Sequence, residues 1–301
     1  MNSSTGPLMR ALDFLSVRQN ADGGWSYAVG KQSYPEPTCY ALLALAEAVE
    51  RSQRETRALA WFTHQLAPAG TLAFAGDQNN LDNWGTILSC FTLRRLNLGA
   101  DLTERFLRHL LRARGNQIDP ATSAQLKLDG NLRAWSWALG TASWVEPTAY
   151  ALLVLKSQGL RHHERVREAE AYLLDRACYD GGWNYGNKEV LGVRLEAMPT
   201  VTAYALLALQ DYERQHEVIR KSLAYLEREL AARQSALALA LGALCLDVYG
   251  RPTERLISAL LARQEPDGSW RGNAHLTALA ALALEATAQK KNVFKIVGSR
   301  Q

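Results

Sequence analysis

Long apolar runs, paired cysteines and strong net charge are all missing from this 301-residue chain, and each absence narrows what it does. No run reaches the roughly 18 to 20 apolar residues that a membrane-crossing helix needs. Stretches such as Ala236 to Leu246 read instead as buried helices. The amino terminus, MNSSTGPLMR, has no basic start followed by an apolar stretch, so no secretory signal is expected and the predicted address is cytoplasmic. Cys39, Cys90, Cys178 and Cys245 show no close spacing, and three of the four fall in apolar helical phrases; packed, reduced thiols are expected rather than a disulfide frame. The formal charge of +4 is scattered over Arg-rich segments, and only the tail from Lys290 to Arg300 is locally basic. That pattern lacks the stripe that nucleic acid requires.

What is present is repetition. Arg10 to Trp25, RALDFLSVRQNADGGW, recurs in degraded form as Arg167 to Trp183, with Cys178 near the Gln position, and as Arg255 to Trp270, where Gln264 is restored. Each copy reads as one helix closed by a Gly-x-Trp turn. A second phrase follows: EPTCYALLALAEA from Glu36, EPTAYALLVLKSQ from Glu146, TVTAYALLALQD from Thr200 and HLTALAALALEAT from His275. Tyr40 and Tyr150 lie 110 positions apart and Tyr150 and Tyr204 lie 54 apart. The unit of roughly 50 residues sits at the upper end of the range for helix-pair repeats.

Two compositions of helix alternate. Met9 to Gln19, Arg54 to Leu66, Leu102 to Arg114, Glu164 to Ala177, Glu217 to Leu230 and Thr253 to Gln264 carry an apolar stripe with Arg and Glu elsewhere, as helices with one wet face do. Thr38 to Ala48, Trp84 to Leu96, Thr148 to Leu155, Thr200 to Leu209, Ser235 to Leu246 and Leu276 to Ala286 are nearly free of charge and must be covered on all sides. Six hairpins with local contacts close into an all-α, α6/α6 toroid over residues 1–286, an inner layer around a central cavity and an outer layer in solvent. Residues 287–301 follow as a basic tail, expected to be mobile. Strict alternation makes every inner helix run the same way, so all inner amino termini should meet at one mouth, where supported loops carry function.

The Gln…Gly-x-Trp phrase resembles the QW motif of squalene cyclases, and the Pro-Thr-Ala-Tyr-Ala-Leu-Leu helices resemble the prenyltransferase and squalene oxidase repeat. This likeness to the terpene cyclase and protein prenyltransferase superfamily covers nearly the whole chain and implies the same toroid. Class II cyclases of that superfamily protonate an alkene with the central Asp of Asp-x-Asp-Asp-Thr-Ala. Glu36 and Glu146 occupy the matching positions here, without the Asp before or after, and no Asp-Asp-x-x-Asp magnesium motif occurs. A lone Glu facing the positive end of a helix is expected to be ionised at neutral pH, and so a poor proton donor. The prenyltransferase likeness implies zinc, for which Glu36, Cys39 and His275 form a loose match.

The expected functional residues therefore gather at the mouth. Glu36 and Glu146 are the candidate acids, against the alternative that they serve the helix dipole. Tyr40, Trp84, Phe91, Trp144, Tyr150, Tyr204 and His275 are the candidate lining of a cavity for an apolar, isoprenoid-like small molecule. Apart from zinc no cofactor is implied, no nucleic acid or membrane span is expected, and a protein partner is left open. Two other classes compete with a cyclase or prenyltransferase: a binding or scaffold toroid without chemistry, and a carbohydrate-active toroid using the two Glu residues as acid and base.

Overall fold

A computed structural model describes residues 6–48, 51–74, 77–232 and 235–296, with the side chains of 74 and 77–80 left aside. Its outer helices are α1 (Pro7–Ser16), α3 (Arg51–His64), α5 (Ala100–Arg112), α8 (Glu164–Asp175), α10 (Glu217–Ala232) and α12 (Glu254–Leu261). Between them run the inner helices α2 (Pro35–Ala44), α4 (Asn83–Leu96), α7 (Val145–Ser157), α9 (Pro199–Ala208), α11 (Ala236–Val248) and α13 (Ala274–Gln289). Each inner helix packs on the next, and α13 packs on α2, which closes the ring. The fold is the α6/α6 toroid. A short helix, α6 (Pro120–Leu126), and two small antiparallel hairpins decorate the mouth loops: β1 (Leu72–Phe74) with β2 (Asp77–Asp82), and β3 (Glu189–Val190) with β4 (Val193–Arg194).

In four of the six hairpins a Trp turn holds the outer helix to its inner partner through two hydrogen bonds. The indole N–H of Trp25 donates to the Leu15 carbonyl at the end of α1 (2.9 Å), while its backbone N–H donates to the Thr38 hydroxyl in the first turn of α2 (2.8 Å). Trp183 repeats this with Leu173 and Thr202, and Trp270 with Leu260 and Thr277. A fourth copy was hidden in the sequence: Trp135 donates to the Leu110 carbonyl and to the Thr148 hydroxyl, although its repeat has lost the Gln and Gly of the phrase. In the second hairpin Leu72 takes the place of the Trp, its N–H donating to the Thr86 hydroxyl. All four indoles are fully buried, as are the five threonines.

Neighbouring hairpins are joined by the Gln and Gly of the same phrase. The Gln19 amide donates to the Arg54 carbonyl on the next outer helix, and the Gln264 amide to the Pro7 carbonyl, a bond that links the last repeat to the first. Gly23 (φ +99°) and Gly268 (φ +88°) adopt left-handed backbone where a Cβ would stand 2.2 Å from a carbonyl oxygen of the adjacent repeat. No side chain fits there.

Two expectations are corrected. The lumen is not an open cavity: Tyr40, Tyr150 and Tyr204 occupy the same register on three inner helices, and their rings fill the axis, with the Tyr40 hydroxyl bonded to Tyr150 and 3.4 Å from Tyr204. Nor is the start of the tail mobile. α13 continues to Gln289, and Phe294 and Ile296 beyond it are buried. Phe294 stacks on Phe91 with centroids 5.5 Å apart, and Gln210 both donates to the Phe294 carbonyl and accepts from the Ile296 N–H. Apolar burial outweighs the charge of the intervening lysines, so the segment plugs the end of the ring remote from the mouth. Residues 297–301 lie outside the described residues.

Because Trp135 and Trp183 carry the same two bonds and the same burial, Trp135→Ala and Trp183→Ala should each destabilise the protein by roughly 3 to 5 kcal/mol, the usual cost of truncating a buried large aromatic. Denaturant unfolding measures this, and an unchanged midpoint for either would remove that Trp from the framework.

Candidate functional site

The mouth is built by register. Two residues before the staple threonines stand Glu36 on α2, Trp84 on α4, Glu146 on α7, Thr200 on α9 and His275 on α13. Pro35 at the first position of α2 fixes helical φ where no intrahelical N–H bond is needed, and leaves Glu36 in the positive first turn. Asp82 caps α4, its Oδ1 accepting from the Gly85 N–H at 2.7 Å.

A cleft of about 300 Å³ opens between α2 and α4. Tyr27, Tyr34, Trp84 and Trp137 supply its rings, Pro35, Leu81 and Ala138 its aliphatic walls, and Glu36 and Asp82 its charges. Trp84 and Trp137 lie 4.7 Å apart, Tyr27 and Tyr34 5.6 Å apart, centroid to centroid. The Tyr27 hydroxyl donates to Glu36 Oε2, and on the other side His275 Nε2 is 3.9 Å from Glu36 Oε1.

Glu36 is the charge to which the other groups respond. Burial, reinforced by the nearby Glu36 carboxylate, raises Glu146 to about 8; burial raises Asp82 to about 6, against the lowering effect of the Gly85 N–H bond. Burial lowers His275 below its usual range, with Glu36 opposing, so the imidazole is neutral at pH 7. The expectation that Glu146 would be ionised is therefore corrected. Desolvation overrides the helix dipole, and this carboxyl keeps its proton at neutral pH.

The candidate residues divide. Glu36 and Trp84 line the cleft, and His275 stands beside Glu36 with its ring 4.9 Å from Tyr40. Tyr40, Phe91, Tyr150 and Tyr204 are buried beneath the mouth. Trp144 pairs with Tyr185, centroids 6.4 Å apart, and does not line this cleft. The zinc set does not assemble: the buried Cys39 thiol turns to the Ser89 hydroxyl at 3.5 Å, and burial raises it to about 12. Among the described residues no three His, Cys, Asp or Glu side chains converge to hold a metal ion.

Sequence reading missed Tyr27, Tyr34, Asp82 and Trp137. One signal was available, a phrase of staple Trp, polar residue and aromatic, in Trp25-Ser26-Tyr27, Trp135-Ser136-Trp137 and Trp183-Asn184-Tyr185. It aims the second aromatic at the mouth. Asp82 needed the end of the β1–β2 hairpin to be located first.

No known family's sequence pattern matches the chain, and no characterised protein matches it by sequence. Solved structures do resemble it. An alpha-amylase from Clostridium perfringens superposes with a TM-score of 0.66 at 10% identity, covering 95% of this chain and 99% of its own. The type II terpene cyclase MstE from Scytonema, as a variant in complex with geranylgeranyl dihydroxybenzoate, superposes with a TM-score of 0.65 at 13% identity over 95% and 97%. A family 8 endoglucanase from Klebsiella pneumoniae gives 0.56 at 13% identity over 93% and 99%. The chain shares the α/α toroid of terpene cyclases and of glycosidases, and at these identities the likeness is one of fold. Among the described residues no helix is long and apolar enough to cross a membrane.

The buried acid has a thermodynamic consequence. Between pH 4.5, the ordinary value, and about 8 the folded chain holds a proton on Glu146 that the unfolded chain releases, so stability from this group falls as pH rises through that window and levels off above it. Glu146→Gln should therefore raise the melting temperature by an amount that grows from pH 5 to pH 8. A gain that stays flat or shrinks over this range would show that the carboxyl is ionised in the folded protein.

Proposed function

We propose that this protein binds an apolar, isoprenoid-like small molecule at the mouth of its toroid, in the cleft between α2 and α4. The observation that carries the reading is the cleft wall: four aromatic rings and three aliphatic residues surround about 300 Å³, a volume at the low end for small-molecule sites. Among the described residues no Lys or Arg lines it, which disfavours a diphosphate-bearing prenyl donor and favours a diphosphate-free ligand. Because the lumen below is filled by Tyr40, Tyr150 and Phe294, the ligand sits on this floor instead of threading the ring.

The carboxyls favour a second reading, acid–base chemistry on a glycosidic bond. Burial and the nearby Glu36 carboxylate raise both Glu146, to about 8, and Asp82, to about 6, and carboxyls of different strength are what acid–base chemistry uses. A group of that strength donates a proton to a heteroatom readily and to an alkene poorly, so it supports hydrolysis better than cyclisation.

Titration with farnesol, read by tryptophan fluorescence, tests the first reading. Saturable quenching is expected, with Trp84→Ala weakening it about tenfold, equivalent to about 1.4 kcal/mol of lost apolar contact. Absence of quenching, or quenching indifferent to Trp84, would reject it. Turnover of aryl glycosides that vanishes in Glu146→Gln would establish the second.

A further inference from the structure

The chain has more basic than acidic residues, 34 against 30, yet the charged groups that line the mouth cleft are Glu36 and Asp82. Among the described residues neither carboxylate meets a lysine or arginine there. The Tyr27 hydroxyl supplies Glu36 with a neutral donor on one oxygen, and on the other side stands His275, whose buried Nε2 has no hydrogen-bond partner. The same cleft is lined by the rings of Tyr27, Tyr34, Trp84 and Trp137, each half-buried. Aromatic faces attract a cation through the ring quadrupole, Trp most strongly, and the attraction rises as water is excluded. Carboxylates held in the same partly desolvated cleft add direct charge attraction with little screening. An anion would meet both effects with the wrong sign.

We propose that the ligand of this cleft carries a positive charge: a primary or quaternary ammonium group on an apolar body. The inference rests on the reading that the mouth cleft is the binding site and adds the chemical class of the ligand. The ammonium group would sit between Glu36 and Trp84, with Asp82 on its flank, and the apolar body would lie along Trp137 and Leu81. No chemical step is required of it.

Choline and 3,3-dimethyl-1-butanol have the same shape and differ in charge, which makes them the probes. Isothermal titration of the full chain at pH 7.5 and low salt should show choline binding at least about tenfold tighter than the alcohol. Glu36→Gln should erase most of that preference while leaving the affinity for the alcohol as it was, and added salt should weaken choline alone. Asp82→Asn, which keeps the helix cap, serves as a second variant should Glu36→Gln fail to fold; it should reduce the preference in part. Equal affinity for the two probes overturns the proposal, and so does a choline affinity that survives both variants. If farnesol binds and choline is not preferred, only the charge assignment fails. If neither farnesol nor choline binds, the cleft is not the site and both readings fall.

Discussion

The hydrogen bond from a turn backbone N–H to a buried threonine hydroxyl is the constraint on which the rest of the molecule depends. Thr38, Thr86, Thr148, Thr202 and Thr277 each accept one in the first turn of an inner helix, and in four of these cases the donor residue is a Trp whose indole also ties down the end of the preceding outer helix. A single intramolecular hydrogen bond contributes about 1 kcal/mol, so its importance lies less in energy than in register. Burying the indole adds far more, and the bond decides where that burial occurs. Once each threonine is fixed, the residues two before and two after it are fixed as well. The former face the mouth and the latter meet over the axis.

That register explains why the mouth is acidic and the lumen is closed. Glu36 and Glu146 share the position that presents a side chain to the opening, while Tyr40, Tyr150 and Tyr204 share the position one turn deeper. Among the described residues three tyrosines at one level of the six-helix ring fill its axis, and Phe294 enters from the other end to complete the packing against Phe91 and Tyr150. The floor this creates is aromatic and buried. Burial at this level, reinforced by the Glu36 carboxylate, raises Glu146 so that it holds its proton at neutral pH, while Glu36 accepts from the Tyr27 hydroxyl.

Much of this arrangement was legible because repetition is a property of sequence. The alternation of charged and charge-free helices, the Gly-x-Trp turns and the Glu-Pro-Thr starts placed twelve helices, their direction and the mouth residues Glu36, Trp84 and His275. Trp135 escaped because the α6 insertion places it 25 residues after Leu110, whose carbonyl it bonds, and the Gln and Gly that mark the other copies are absent. Tyr27, Tyr34 and Trp137 escaped because they lie in loops, where periodicity carries no information.

By itself, the sequence determined the helix pairs and their order, since apolar periodicity and turn chemistry act over a few residues and need no partner. Only the tertiary structure decided whether the ring was hollow, because that depends on how far six side chains at one level reach toward a common axis. It also decided that Cys39 turns to Ser89 and not to His275, and that Glu146 is neutral. Rotation of a helix by one residue, or the loss of a few waters, changes such outcomes. Neither is written in local composition, and both follow from which groups distant segments bring within a few ångströms of each other.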